Sequence, residues 1–150
     1  MTVPPGAIAT GFGPIIKLAG ELFARVLTMT GAISANSMVV AGGIEDEAAF
    51  LPLVVERLER QVLALQRLAA LEGILAAQAM DISGDTPGNV PGIVYALVRR
   101  HAATYWQDRP LSAEVEAVEQ ALASDALMNE LISHSTIMEL DEFFALGPVV

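Results

Sequence analysis

Residues 45–81 read EDEAAFLPLVVERLERQVLALQRLAALEGILAAQAMD, and this stretch decides the fold. Only Pro52 and Gly73 interrupt its helix-compatible residues. Leu51, Val55, Leu58, Val62, Leu65 and Ala69 step by 4, 3, 4, 3 and 4. That is the a/d spacing of a helix seated in a bundle. Glu56, Arg57, Glu59, Arg60 and Arg67 take the other faces, and Glu56–Arg60 is an i,i+4 pair in the favourable order. Glu45, Asp46 and Glu47 stand where a helix N-terminus favours negative charge, so the spacing predicts a helix over 45–81. Pro52 belongs to its first turn or kinks it. Past Arg67 the run LAALEGILAAQAM is apolar all round, which predicts burial on every side. A helix of 37 residues spans ~55 Å at ~1.5 Å per residue. A compact domain of this size is only about 30 Å across. Helices from other chains are therefore expected around it.

Working outward, Pro14 is placed to open a helix, and apolar residues recur at helical spacing from Ile15 to Leu27. Residues 1–13 are expected to form an arm and residues 14–150 one helical domain. Residues 28–43 show no period and suit a packed loop of small residues. Residues 82–92 are turn-rich. Helices are expected over 94–105 and, with Ser112 as N-cap, over 113 to about 128. A weaker helical period follows around 131–144.

Composition narrows the function classes. The chain has 150 residues, 53% hydrophobic and 17% charged, no cysteine and a formal charge of −10. Ordinary soluble domains carry about 25% charged residues. Such a chain is not disordered, and its acidity argues against nucleic-acid binding. No disulfide or cysteine site is available. The surplus apolar surface must enter a membrane or meet other chains. The most apolar stretches contain Asn36 with two Thr, or Glu72 and Gln78, and neither makes a span of ~20 apolar residues. The N-terminus lacks the basic region of a signal peptide. A cytoplasmic oligomer without membrane contact is expected. Residues 110–150 hold eight acids and no Lys or Arg, a solvated acidic segment.

Chemistry read from residue types alone is thin. Glu45–Glu47 reads as a charged helical turn before it reads as an acid/base cluster or a metal-binding edge. Glu72, in an apolar helix, needs a partner, and an interchain arginine is favoured. His101 and His134 have no metal-ligand spacing, and no metal is expected. Tyr95 and Tyr105 read as packing or rim residues. No phosphate loop or hydrolase motif is present.

Residues 42–82 nonetheless resemble the C-terminal part of the aromatic amino acid ammonia-lyases and aminomutases. The family opens a long helix with G-x-E-D-H or Q-E-D-H and ends it in A-A-Q-A-x-D. Here Gly43, Ile44, Glu45 and Asp46 stand at the start, and Ala76, Ala77, Gln78, Ala79, Met80 and Asp81 at the end. Asp108, Arg109, Pro110, Leu111 and Ser112 resemble the family's D-R-x-L/P segment, and the resemblance covers roughly residues 14–125. It implies an all-α fold whose long helices pack as the centre of a tetramer-type bundle. It also implies removal or migration of the amino group of an aromatic-type amino acid. In the family a methylidene-imidazolone made from Ala-Ser-Gly is the electrophile.

Ala-Ser-Gly is absent here, as is the part of the family that bears it. The resemblance therefore implies a separately encoded small subunit, holding no cofactor itself. It would complete the site of a large lyase-like subunit that carries the methylidene-imidazolone. It implies that Glu45 faces the substrate ammonium, with Ile44, Asp46 and Glu47 beside it. Ile44 replaces the frequent Gln, and Glu47 replaces the usual His, which adds negative charge. A non-catalytic structural subunit, or the same scaffold running another reaction, are the alternatives.

Overall fold

A computed structural model of the chain describes residues 11–32 and 50–134. Five helices account for them in order: α1 (Gly13–Thr28), α2 (Leu51–Ser83), α3 (Asn89–His101), α4 (Ser112–Leu122) and α5 (Asp125–His134). No strand occurs among the described residues. The all-α expectation holds, and α1 has Pro14 in its first turn as expected.

The long helix begins later than the spacing predicts. Phe50, its N-cap, has φ +36 and ψ +27, left-handed values that an α-helix cannot pass through. A left-handed residue with a side chain costs roughly 1–2 kcal/mol. Pro52 lies just inside this start, where its missing N–H is harmless. Glu45, Asp46 and Glu47 therefore do not form the first turn of α2, which contains no acid. Its 33 residues still span ~50 Å and end at Gly84, a left-handed C-cap with φ +74.

The core forms around the C-terminal half of α2, where α1, α3 and α4 all pack. Ala70, Leu71, Ile74 and Ala77 meet Phe12 and Ile15 before and in α1, Val98 in α3, and Val115 and Val118 in α4. Complete burial of one such side chain contributes about 1.5–3 kcal/mol. At Gly73 α3 comes so close that an added Cβ would stand 3.4 Å from Val98 Cγ2.

The ladder expected to sit in a bundle is bare among the described residues. Leu51, Val55, Leu58, Val62 and Leu65 are 45–63% exposed, and Ala69 is exposed too. The stripe continues in the same steps through Glu72, Ala76 and Ala79, all exposed. The run after Arg67 is thus buried on one side only, which corrects the all-round burial expected. Glu72 has no ion-pair partner among the described residues. By length and composition alone α2 could cross a membrane, a test the sequence reading did not grant it. Within the described residues about a third of that apolar window is buried, against α1, α3 and α4.

Two further boundaries move. The third helix runs over Asn89–His101, earlier than 94–105, because Pro91 is tolerated in a first turn and three basic residues close the last. The expected 113–128 helix is broken after Leu122, and Ser124 Oγ accepts the Leu127 N–H at 3.4 Å to start α5. Ser112 is not the N-cap; Leu111 is, without a side-chain cap.

Candidate functional site

Ile44, Glu45, Asp46 and Glu47 lie outside the described residues, as do 1–10 and 135–150. The other half of the quoted motif is well placed, at the C-terminal end of α2. Gln78 is 1% exposed. Its Oε1 accepts the Tyr105 N–H at 2.8 Å, and its Nε2 donates to the Tyr105 carbonyl at 3.1 Å. A primary amide matches a peptide group in this way because it offers both donor and acceptor. One side chain thereby satisfies a buried stretch of loop that no secondary structure pairs.

One turn further on, Asp81 gathers a second set of groups. Tyr95 Oη donates to its Oδ1 at 2.5 Å, and Thr104 Oγ1 to its Oδ2 at 2.7 Å. Arg99 Nη2 lies 2.8 Å from Oδ2, with both side chains only 13–15% exposed. That contact is an ion pair without hydrogen-bond alignment, since Arg99 Nη2 and Nε have no hydrogen-bond partner. Arg99 Nη1 donates to the Ala102 carbonyl at 2.8 Å. Burial pushes the Asp81 carboxyl upward, but the two hydroxyls and the Arg99 charge outweigh it, so its pKa lies below the ordinary value. The hydrogen bond to Asp81, aided by burial, raises Tyr95.

These shifts give a stability prediction. A carboxyl with a depressed folded pKa contributes stability that is complete above its unfolded pKa, ~3.9, and disappears as pH falls through the folded value. The chain should therefore lose melting temperature below about pH 4, and Asp81→Asn should lose less over that same interval. Parallel melting curves of the two proteins between pH 6 and acid check this; identical acid slopes would refute the assignment.

The loop after α3 closes on itself. Tyr105 is buried, packs its ring against Phe12 at a tilt of 38° with centroids 4.9 Å apart, and donates its hydroxyl to Asp108 Oδ1 at 2.7 Å. Burial, then this hydrogen bond, raises its pKa. Arg109 lies 5.1 Å over the Tyr105 ring and grips both oxygens of Glu114 at 2.8 and 2.9 Å. It also donates to the carbonyls of Ala103 and Thr104. The Glu114 carboxylate raises the Arg109 pKa.

Thus four of the residues quoted for the resemblance past residue 75 have structural roles. Gln78, Asp81, Asp108 and Arg109 fix the 102–111 loop on the end of α2. Sequence reading missed the part of Tyr95, Arg99 and Thr104; no spacing links them to Asp81, because the turn at 84–88 brings them together. His101 and His134 are exposed, and among the described residues no three acidic or His side chains could share a metal ion. A cavity of about 470 Å³ opens between α1, the 105–111 loop and the start of α4, with Arg67 and Arg109 among its lining.

This helix arrangement is shared with solved enzymes. An ergothioneine-degrading ergothionase from Treponema denticola, in complex with desmethyl-ergothioneine sulfonic acid, superposes with a TM-score of 0.76 at 27% identity, over 84% of this chain. A tyrosine aminomutase mutant with bound ligand does so with a TM-score of 0.79, also at 27% identity, over 89%. The match takes up 26% of either solved chain, so this chain spans about a quarter of their length. No family model and no curated protein matches the sequence. The protein has the helical ammonia-lyase/aminomutase fold.

Proposed function

We propose that this chain is the small subunit of a soluble, cytoplasmic ammonia-lyase- or aminomutase-like enzyme. It supplies the C-terminal helices and completes an active site on a large lyase-like subunit. The observation that carries this reading is the bare α2 stripe. In a chain with a quarter of the fold, the helix that belongs at a bundle centre keeps an apolar face uncovered along its whole length. A hetero-oligomer built on a tetramer-type bundle covers that face. Glu72, towards the C-terminal end of the stripe, then meets an arginine of a neighbouring chain.

Ala-Ser-Gly does not occur in these 150 residues; in this reading the electrophile, on the large subunit, is a methylidene-imidazolone. That group withdraws electrons from the bound substrate when present. The task of this chain is to bind and position. Glu45 holds the ammonium of an aromatic-type amino acid and takes or returns its proton, with Ile44, Asp46 and Glu47 shaping the surroundings. Glu47, where the family has His, leaves the scaffold running another reaction as the second reading.

Co-purification with a partner chain carrying Ala-Ser-Gly, near-UV absorbance of the chromophore and ammonia release test the assignment. In the assembled complex Glu45→Gln should lower kcat by about 10²–10⁴-fold, the range for a proton-transfer group. Unchanged turnover would instead make this a structural subunit, and an absent chromophore would remove the lyase chemistry.

A further inference from the structure

We propose that the cavity between α1 and the start of α4 binds a small apolar carboxylate, with Arg67 as its anchor. This does not rest on the lyase reading. The cavity holds about 470 Å³, in the range of small-molecule sites. Its walls are apolar: Ile15 and Leu18 of α1, Leu111 and Val115 around the start of α4, Pro110, and the Tyr105 ring. Two guanidinium groups line it, and they differ in what they have left to offer. A guanidinium has five N–H donors. Arg109 directs four hydrogen bonds to Glu114, Ala103 and Thr104, so it is committed to the loop. Arg67 makes a single hydrogen bond among the described residues, from Nε to Glu119 Oε2 at 2.9 Å. Its two terminal nitrogens, which form the end of the fork, have no described partner. Planar two-nitrogen recognition is what a carboxylate accepts best.

The single Arg67–Glu119 bond also fixes the Arg67 head relative to α4. An anchor held in place loses less freedom when a ligand arrives. The apolar walls favour a ligand with an aryl or alkyl body, and the two terminal nitrogens of Arg67, whose Nε stays paired to Glu119, favour one carboxylate. The starts of α1 and α4 flank the cavity without side-chain caps and add to the positive field.

The test uses the full 150-residue chain and 3-phenylpropionate, followed by calorimetry and by ligand-observed NMR. Saturable binding is expected, with the neutral 3-phenylpropanol at least about tenfold weaker, the scale of one charge-assisted contact. Arg67→Gln should weaken the carboxylate by about the same factor. Glu119→Gln, which removes the competing anion but leaves Arg67, should bind as well as the parent or better. Val115→Trp, filling the cavity, should abolish binding. Melting curves establish that each variant is folded. Equal affinity for acid and alcohol, an unaffected Arg67→Gln, or no saturable binding by the folded parent would each overturn the proposal. The last result would mean that other parts of the chain or a partner occupy the cavity.

Discussion

Gln78→Leu should lower folding stability by about 2–5 kcal/mol, with helices α2 and α3 still formed in whatever fraction stays folded. Leu is close to Gln in volume and leaves little cavity. The cost comes from the other side of the contact. The Tyr105 N–H and carbonyl lose their partners at a position that water does not reach, and each buried unpaired group costs about 1–3 kcal/mol. Domains have only ~5–15 kcal/mol in total, so this one substitution could remove much of it. Urea unfolding followed by circular dichroism measures the loss. Gln78→Glu, measured well above the usual carboxyl pKa, provides the control: ionised, it can still accept from the N–H but cannot donate to the carbonyl, and taking up a proton to restore that donor has its own cost. It should be at least as damaging. A loss below about 1 kcal/mol for Gln78→Leu would show that the loop does not need its clamp.

The second large effect concerns association. Leu58 and Leu65 are 58% and 54% exposed and sit one heptad apart on the bare stripe of α2. In dilute chain, Leu58→Lys with Leu65→Lys should leave the unfolding midpoint within about 0.5 kcal/mol of the parent, as surface substitutions do. In the proposed bundle both leucines are buried, and each is worth about 1.5–3 kcal/mol there. The pair should therefore weaken assembly by about a hundredfold or more. Sedimentation velocity over a concentration series separates the two readouts. Assembly as strong as the parent's would mean that the stripe is not the seam. Glu72→Leu sharpens the point: if Glu72 meets an arginine across the seam, breaking that pair weakens assembly although a charge has left an apolar stripe.

The spacing of 4 and 3 made the long helix legible, since that pattern has no strand or loop equivalent. The partner of each face was not legible. Period fixes which residues share a side, but a 33-residue helix has an inward and an outward side that both look apolar here. Ala64, Ala70, Leu71, Ile74, Ala77 and Gln78 point inward; Leu51, Val55, Leu58, Val62, Leu65 and Ala69, read as the seated seam, point away from the described core. The start of α2 was misread because acids at 45–47 resemble a first turn, whereas the left-handed turn at Phe50 is set by backbone geometry that residue type does not announce. For the candidate site, the A-A-Q-A-x-D half located real anchors, yet it suggested nothing of their task. Their partners lie 14–27 residues away, beyond any helical repeat. The Glu45 half rests on the resemblance.

The uneven covering of α2 has a kinetic consequence. Its C-terminal half is held by three helices, while residues 51–58 are exposed apart from Arg57, whose Nη1 donates to the Gly31 carbonyl at 3.1 Å. A helical segment of such length is marginal in water without packing. In the lone chain, amide hydrogens of the first turns should exchange with solvent orders of magnitude faster than those around Ile74. Docking of a partner would slow them and so contribute to folding as well as to assembly. If the proposed partner exists, its binding would stabilise the folded chain by mass action, and the abundance of the chain in a cell would follow that of the partner.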